Sequence, residues 1–224
     1  MRALIVGYGR MGRLVESLCP EYGIAVAGTV DIADASSPDR WPAADVAIDF
    51  STADAVPANV AQLASRGINI VIGTTGWADH EGEVRRLVER ARIGVVAAPN
   101  FALGVNLFAA LAERAAELFT AQDKFGAFIH EAHHAAKRDA PSGTALWLEE
   151  RMRAGGYNRP IDVSSTRAGF IPGTHSIGFD APGETITLTH TARDRSGFAR
   201  GALEAARWVH GRTGWFTMRD VLGV

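Results

Sequence analysis

The chain has 224 residues, of which 47% are hydrophobic and 21% charged, so we expect a folded globule with one large or two small domains. The formal net charge of -2 argues against a surface for nucleic acid or for an anionic membrane. The single cysteine, Cys19, excludes an intrachain disulfide.

One uncharged stretch, IGVVAAPNFALGVNLFAALA at 93–112, is long enough to span a bilayer. Pro99, Asn100, Gly104 and Asn106 interrupt it, which favours a buried strand, a loop and an apolar helix. The start, MRALIVGYG, lacks the long apolar region and cleavage site of a signal peptide. We therefore expect no membrane partner, and a cytoplasmic location.

In the first half of the chain, short apolar runs alternate with helical patterns. The runs predict strands at 3–6, 24–30, 46–50, 68–72 and 94–97, with helices that include 13–19 and 81–92. This alternation is typical of an α/β fold with a Rossmann-like, doubly wound parallel sheet.

The pattern changes after about Gly104. Helices are predicted at 105–119, 144–154 and 197–210, and strands at 125–134, 165–170, 174–179 and 184–192. The last strand, ETITLTHTA, alternates with period two, which indicates an antiparallel sheet with one buried face. We predict a central α+β domain with a mostly antiparallel sheet.

The segment GYGRMG at 7–12 follows the first strand and opens a helix. Gly7 suits a tight turn, Gly9 leaves room for a pyrophosphate, and Gly12 lets the helix approach the sheet. Asp31 ends the second strand about 20 residues on, as a ribose-binding acid does. Its charge, with Arg40 nine positions further, favours NADH, with NADPH possible. An ordinary glycine turn is the competing interpretation.

The loops after the third and fourth strands lie at the edge of the sheet where such folds bind ligands. Ser51 and Thr52 follow one strand, and Gly73, Thr74 and Thr75 follow the other. We expect them to line the cofactor site, with helix capping as the alternative role.

A dense polar cluster, EAHHAAKRDAPSGTA, occupies 131–145. Strand alternation puts Glu131 and His133 on one face. The helix predicted to begin just after Pro141-Ser142-Gly143 offers its first amides, from Gly143 and Thr144, to an anion.

Lys137 and Arg138 lie near that helix start in sequence. The combination predicts a ligand that carries one or more carboxylates. Three other interpretations compete: a zinc site, a solvated capped loop, which suits Arg138, and core histidines, which suits His130. Adjacent histidines chelate poorly and the chain has no HExxH pattern, so we predict no metal.

Several ordered motifs resemble those of the dihydrodipicolinate reductase (4-hydroxy-tetrahydrodipicolinate reductase) family, over nearly the whole chain. They are GYGRMGR near the start, DFS at 49–51, GTTGW at 73–77, APNFALGVN at 98–106, the cluster at 131–145, and FARGALEAARW and MRDVLG near the end.

The resemblance implies a dinucleotide-binding domain formed by 1–103 and 196–224, and a substrate-binding and oligomerisation domain at 104–195. It also implies a homotetramer. The implied reaction reduces a cyclic unsaturated dicarboxylate to tetrahydrodipicolinate with NADH or NADPH, in lysine and diaminopimelate biosynthesis.

The resemblance also implies roles for individual residues. His133 matches the catalytic acid/base histidine, and Lys137 matches the proton-donating lysine. His134, Gly143, Thr144 and Arg195 match substrate contacts. Cofactor contacts are implied at Gly7, Tyr8, Gly9, Arg10, Met11, Gly12, Asp31, Ser51, Gly73, Thr74, Thr75, Ala98, Pro99, Asn100 and Phe101.

The chain departs from the family in two respects: its glycine loop is one residue shorter than GxGGRMGR versions, and it is compact overall. Two rival hypotheses are another dehydrogenase that acts on an amino-acid-like acid, such as an aspartate dehydrogenase, and a catalytically silent NAD(H)-binding sensor. The HHxxKxDAPSGTA run and the presence of both His133 and Lys137 favour the reductase.

Overall fold

A computed structural model describes residues 1–34 and 37–224. The chain divides into two compact units: unit 1 comprises 1–103 and 196–224, and unit 2 comprises 104–195. Within the described residues, every helix is too short or too polar to cross a membrane. The uncharged stretch at 93–112 forms a strand, a loop and the start of a helix.

Unit 1 contains a parallel sheet of six strands: β1 (Arg2–Val6), β2 (Ala25–Val30), β3 (Val46–Asp49), β4 (Asn69–Ile72), β5 (Gly94–Ala97) and β10 (Gly214–Phe216). Their order in the sheet is β10-β5-β4-β3-β1-β2. This confirms the predicted Rossmann-like class. The chain adds β2 on one side of β1 and β3 on the other, so the direction of strand addition reverses at β1. Ligands bind beyond the carboxyl ends of the strands at such a point.

The helices of unit 1 are α1 (Arg10–Leu18), α2 (Val56–Ala64), α3 (Glu81–Ala91), α6 (Ser196–Val209) and α7 (Met218–Leu222). Apolar side chains of α1 and α6 pack on one face of the sheet, and those of α2 and α3 on the other. Because both faces are covered, β3 and β4 are buried at every position, as their continuous apolar sequences predict. Strand β10 was not predicted, since three half-buried residues are too few to show a period.

Unit 2 contains a mixed sheet of four strands: β6 (Gly126–His133), β7 (Ile161–Arg167), β8 (Gly173–Ala181) and β9 (Glu184–Ala192). Their order in the sheet is β7-β6-β8-β9. Helices α4 (Leu103–Phe119) and α5 (Gly143–Ala154) share a core with them. β8 pairs antiparallel with β6 and β9, whereas β7 pairs parallel with β6. The predicted strand at 165–170 was placed too late, because pairing with β6 sets the bounds of β7.

Candidate active site

The turn between β1 and α1 brings three chain segments into close contact. Gly7 has φ +85° and its amide donates to the Val30 carbonyl (2.8 Å). A Cβ on Gly7 would lie 2.4 Å from the Phe50 carbonyl oxygen, and one on Gly12 would lie 2.3 Å from the Gly7 oxygen. Gly9, which precedes α1, has open space where a Cβ would project. The turn therefore needs glycine at 7 and 12 for packing, and leaves a ligand room at 9.

A cavity of about 220 Å³ lies at this turn. Several of the predicted cofactor residues line it: Gly7, Tyr8, Gly9, Asp31 and Ser51. Arg10, Met11 and Gly12 form the first turn of α1 and lie outside its lining. The Asp31 carboxylate is exposed and accepts from the Ile32 amide (2.8 Å). It follows β2 directly, as a ribose-binding acid does.

A buried carboxylate joins the two predicted cofactor loops. Asp49 ends β3 and is fully buried. It accepts from the Ser51 amide (2.8 Å) and hydroxyl (2.6 Å), the Thr74 hydroxyl (2.8 Å) and the Asn59 side-chain amide (3.0 Å). The Ser51 hydroxyl thus binds Asp49 rather than capping a helix. Thr52 starts a short 3-10 helix without a side-chain cap.

A second cavity in unit 1 has a volume of about 370 Å³. Four of the predicted cofactor residues line it: Thr74, Thr75, Ala98 and Pro99. The indole of Trp215 also lines it, with the Arg85 guanidinium 4.4 Å from the ring centre.

The other predicted cofactor residues of this region have structural contacts. A Cβ on Gly73 would lie 2.2 Å from the Phe50 ring. Phe101 is buried and packs edge-on against Phe50, with ring centres 6.4 Å apart. The side-chain oxygen of Asn100 accepts from the Ala102 amide (2.9 Å). The cofactor contacts implied for these residues stay predictions.

In unit 2, His133 is the last residue of β6 and its Nδ1 contacts the Glu131 carboxylate at short range. Glu131 is fully buried, in agreement with the predicted alternation, and Arg167 of β7 forms two hydrogen bonds to it (2.6 and 2.9 Å). Burial alone would raise the pKa of Glu131, but hydrogen bonds from Arg167, Ser165 and His133 lower it to about 2. Burial lowers the pKa of His133.

A second histidine, His175 of β8, lies beside His133 with ring centres 5.0 Å apart. Its Nε2 contacts the hydroxyl of Ser142 (3.0 Å), and that hydroxyl accepts from the Ala145 amide (3.2 Å) at the start of α5. Burial lowers the pKa of His175 to about 4, so this imidazole is neutral at pH 7.

The loop from β6 to α5 carries the remaining candidates. The Lys137 ammonium donates to both carboxylate oxygens of Asp139 (2.8 and 2.9 Å). This ion pair is the largest cause of the lowered pKa of Asp139, and the Gly143 amide also lowers it. Gly143 and Thr144 form the first turn of α5, directly after its N-cap residue Ser142. His134 and Arg195 are exposed, and their substrate contacts stay predictions.

Glu131, His133 and His175 have side-chain atoms that lie within 4.8 Å of one another, a spacing that could hold a metal ion. Arg167 already occupies both oxygens of Glu131, and a guanidinium in that position repels a cation. The absence of a metal stays a prediction.

Comparison with known proteins identifies the family. Residues 1–101 match the family described as dihydrodipicolinate reductase, N-terminus, and residues 104–222 match dihydrodipicolinate reductase, C-terminus. The chain belongs to the dihydrodipicolinate reductase family. The family predicted from the sequence motifs is therefore confirmed, and so is its class of activity: the chain is an oxidoreductase.

Relatives named 4-hydroxy-tetrahydrodipicolinate reductase match over their whole length. One from Thiobacillus denitrificans is 38% identical, with 100% of this chain and 99% of the relative covered. One from Christiangramia forsetii is 34% identical, with 99% and 98% covered. Among solved structures, a dipicolinate-bound dihydrodipicolinate reductase from Paenisporosarcina sp. TG-14 has the same fold, with a TM-score of 0.79, 24% identity and 98% of each chain covered.

Sequence reasoning assigned no role to several polar residues of this reductase: Asp49, Asn59, Glu131, Arg167 and His175. Asp49 and Glu131 lie inside the quoted motifs, and a carboxylate at a buried strand position is a signal for a bound partner. Arg167 and His175 are 36 and 44 residues from Glu131 in sequence, so only strand pairing brings the three together.

Proposed function

We propose that this chain reduces 4-hydroxy-tetrahydrodipicolinate to tetrahydrodipicolinate in lysine and diaminopimelate biosynthesis, with NADH preferred over NADPH. The observation that carries the proposal is the loop from β6 to α5. In that loop, residues 131–145 supply an ammonium, a histidine with a buried carboxylate partner and a helix N-terminus. This set suits a ring that carries carboxylates and needs a proton.

Unit 1 binds the cofactor in this proposal. The nicotinamide cofactor supplies the hydride when bound. The fit rests on the turn at Gly7 and Gly12, where side chains would clash with backbone, and on the open position at Gly9. The exposed Asp31 carboxylate accepts hydrogen bonds from a ribose and repels a 2′-phosphate, which is the reason to expect NADH.

Unit 2 binds the substrate in this proposal. The first amides of α5, at Gly143 and Thr144, hold one carboxylate, because a helix N-terminus offers N–H groups and partial positive charge. The substrate carboxylate takes the place of Asp139, which the Gly143 amide contacts. His134 and Arg195 supply the other carboxylate contacts. Lys137 is held by Asp139, and an arriving substrate carboxylate competes with Asp139 for that ammonium.

The proton step belongs to Lys137 and His133. The hydroxylated ring loses its hydroxyl group as water to give a conjugated imine. Hydride addition to that imine leaves an electron pair on the ring, and a proton must join it. The Lys137 ammonium donates that proton, and His133 acts as the acid/base group beside it. General acid catalysis of this kind contributes roughly 10²- to 10⁴-fold to the rate.

We also propose a cytoplasmic homotetramer that assembles through the unit 2 sheets. A row of hydroxyl side chains on β8 and β9 lies away from the α4 and α5 core and supports this. The row comprises Thr174, Ser176, Thr185, Thr187, Thr189 and Thr191.

The test is loss of NADH absorbance with freshly prepared product of dihydrodipicolinate synthase, repeated with NADPH. We expect turnover by the wild type, and a kcat at least about 10²-fold lower in Lys137→Ala. Arg138→Ala removes the adjacent exposed cation and serves as the matched control, with kcat close to wild type. Cofactor binding without turnover would refute the proposed reaction and favour the silent sensor, whereas turnover of another acid would favour the rival dehydrogenase.

A further inference from the structure

The Glu131 carboxylate is the most completely enclosed charge of unit 2, with no exposed surface. Both its oxygens accept from Arg167, and Oε1 also accepts from the Ser142 amide (3.3 Å). Its Oε2 contacts Nδ1 of His133. A buried charge is costly unless it is paired, and the proposed reaction assigns no role to this one.

The charge of Glu131 determines which nitrogen of His133 carries a proton. With a pKa of about 2, the carboxylate is ionised near neutral pH and can only accept hydrogen bonds. Nδ1 of His133 must therefore be the donor. In the neutral imidazole this leaves the lone pair on Nε2. A hydrogen bond made by one ring nitrogen of a histidine sets the protonation of the other in many sites.

The surroundings of the ring restrict its position as well. A Cβ on Gly173 would lie 2.9 Å from Nε2 of His133, so the ring occupies space that only glycine leaves. The His175 ring meets it edge-on, at 73°. Among the described residues, Nε2 has no hydrogen-bond partner, so it is the nitrogen left for a substrate.

We propose that Glu131 is a positioning residue that acts through His133. It holds the ring by Nδ1 and makes Nε2 the nitrogen that exchanges protons with the substrate, while Arg167 keeps the carboxylate ionised. The inference rests on the proposed function, because it assigns the acid/base role to His133, but its structural part can be measured without substrate.

The charged and titratable groups that face His133 determine the expected change. Burial lowers the pKa of His133 most, Glu131 opposes this, and Lys137 and Arg167 lower it further. His175 is neutral near pH 7, since its pKa is about 4. Glu131→Gln removes the anion that opposes this lowering, so the pKa of His133 must fall. When the reaction uses protonated His133, kcat falls as the pH rises through the pKa of this histidine. This fall comes at a lower pH in Glu131→Gln than in the wild type.

The experiment is NMR of ¹⁵N-histidine-labelled full-length protein, combined with kcat measured across pH. In the wild type we expect neutral His133 as the Nδ1–H tautomer. In Glu131→Gln we expect a mixture of tautomers, a His133 pKa lower by about one pH unit, and a kcat lower by about 10- to 100-fold. The KM for NADH should stay within about twofold, because unit 1 holds the cofactor residues.

The matched control is Glu113→Gln. Glu113 pairs with Arg151 in the same unit, and Arg151 Nε donates to it at 3.1 Å. This variant loses a partly buried ion pair of the same type, and we expect the tautomer, pKa and kcat of the wild type. A folded Glu131→Gln protein with an unchanged His133 tautomer, or with a changed tautomer and full kcat, would overturn the inference.

The wild-type spectrum keeps the test decisive if Glu131→Gln fails to fold. An ionised Glu131 can only accept from Nδ1 of His133, so neutral His133 must be the Nδ1–H tautomer. The Nε2–H tautomer in the wild type would overturn the inference. Should the wild type show the Nδ1–H tautomer but no turnover, the proposed function fails while the Glu131–His133 contact stands.

Discussion

Asp49 and Glu131 are both fully buried carboxylates, yet their environments differ. Glu131 is paired with a guanidinium and acts on an imidazole. Asp49 is surrounded by neutral donors from Ser51, Asn59 and Thr74. Because those donors belong to separate segments, Asp49 sets the distance between the loops after β3 and β4. Its role is therefore to shape the cofactor side of the molecule.

We predict that Asp49→Asn weakens NADH binding about tenfold and lowers the free energy of unfolding by about 1–3 kcal/mol. The new NH2 group cannot accept a hydrogen bond from the Asn59 side-chain amide or the Ser51 hydroxyl, so at least one hydrogen bond is lost. Fluorescence titration with NADH measures the dissociation constant. Asp54→Asn makes the same charge change at an exposed position, and its NADH affinity should match the wild type. Equal affinity in both variants would contradict the role given to Asp49.

At the scale of elements, the turn from β1 to α1 shows how one motif serves packing and binding separately. Gly12 is buried against the backbone of Gly7, which allows α1 to approach the sheet. Gly9 has empty space beside it and no packing reason to be glycine. The difference separates the structural glycine from the one that leaves room for a phosphate.

Alanine at these two positions should give different results. Gly12→Ala forces a Cβ against the Gly7 carbonyl, so we expect a loss of about 1–3 kcal/mol in unfolding free energy together with weaker NADH binding. Gly9→Ala should unfold like the wild type but bind NADH at least about tenfold more weakly. Urea unfolding and calorimetric titration of both variants make the comparison. A destabilised Gly9→Ala protein would show that Gly9 has a packing role instead.

At the scale of the whole molecule, two groups of unit 2, His175 and Glu131, have pKa values far below their ordinary ones. His175 has a pKa of about 4 against an ordinary value of 6.5. A histidine with a lowered pKa takes up its proton more readily in the unfolded chain. Stability is therefore lost as the pH falls from about 6.5 towards 4. Glu131, whose pKa is lowered to about 2, adds a further loss below its ordinary value of 4.5.

We predict that acidification from about pH 7 to about pH 5 lowers the free energy of unfolding of unit 2 by about 2 kcal/mol through His175. His175→Gln keeps a polar group near Ser142 but cannot titrate, so most of this loss should disappear. Hydrogen exchange at both pH values measures it unit by unit. His80→Gln, an exposed histidine of unit 1, is the control and should keep the wild-type dependence. An equal loss in wild type and His175→Gln would assign the acid sensitivity to other groups.

The sequence alone determined the fold class, the family and the candidate residues around 7–12 and 131–145, because each depends on local order: a period, a glycine spacing, a run of polar residues. Strand β9 was predicted with its observed bounds, since ETITLTHTA alternates without interruption. The tertiary structure decided the rest. Strands β7 and β10 are defined by their neighbours. Arg167 and His175 reach Glu131 and His133 only through strand pairing across the unit 2 sheet. Contacts of that sequence separation depend on register, which no local pattern contains.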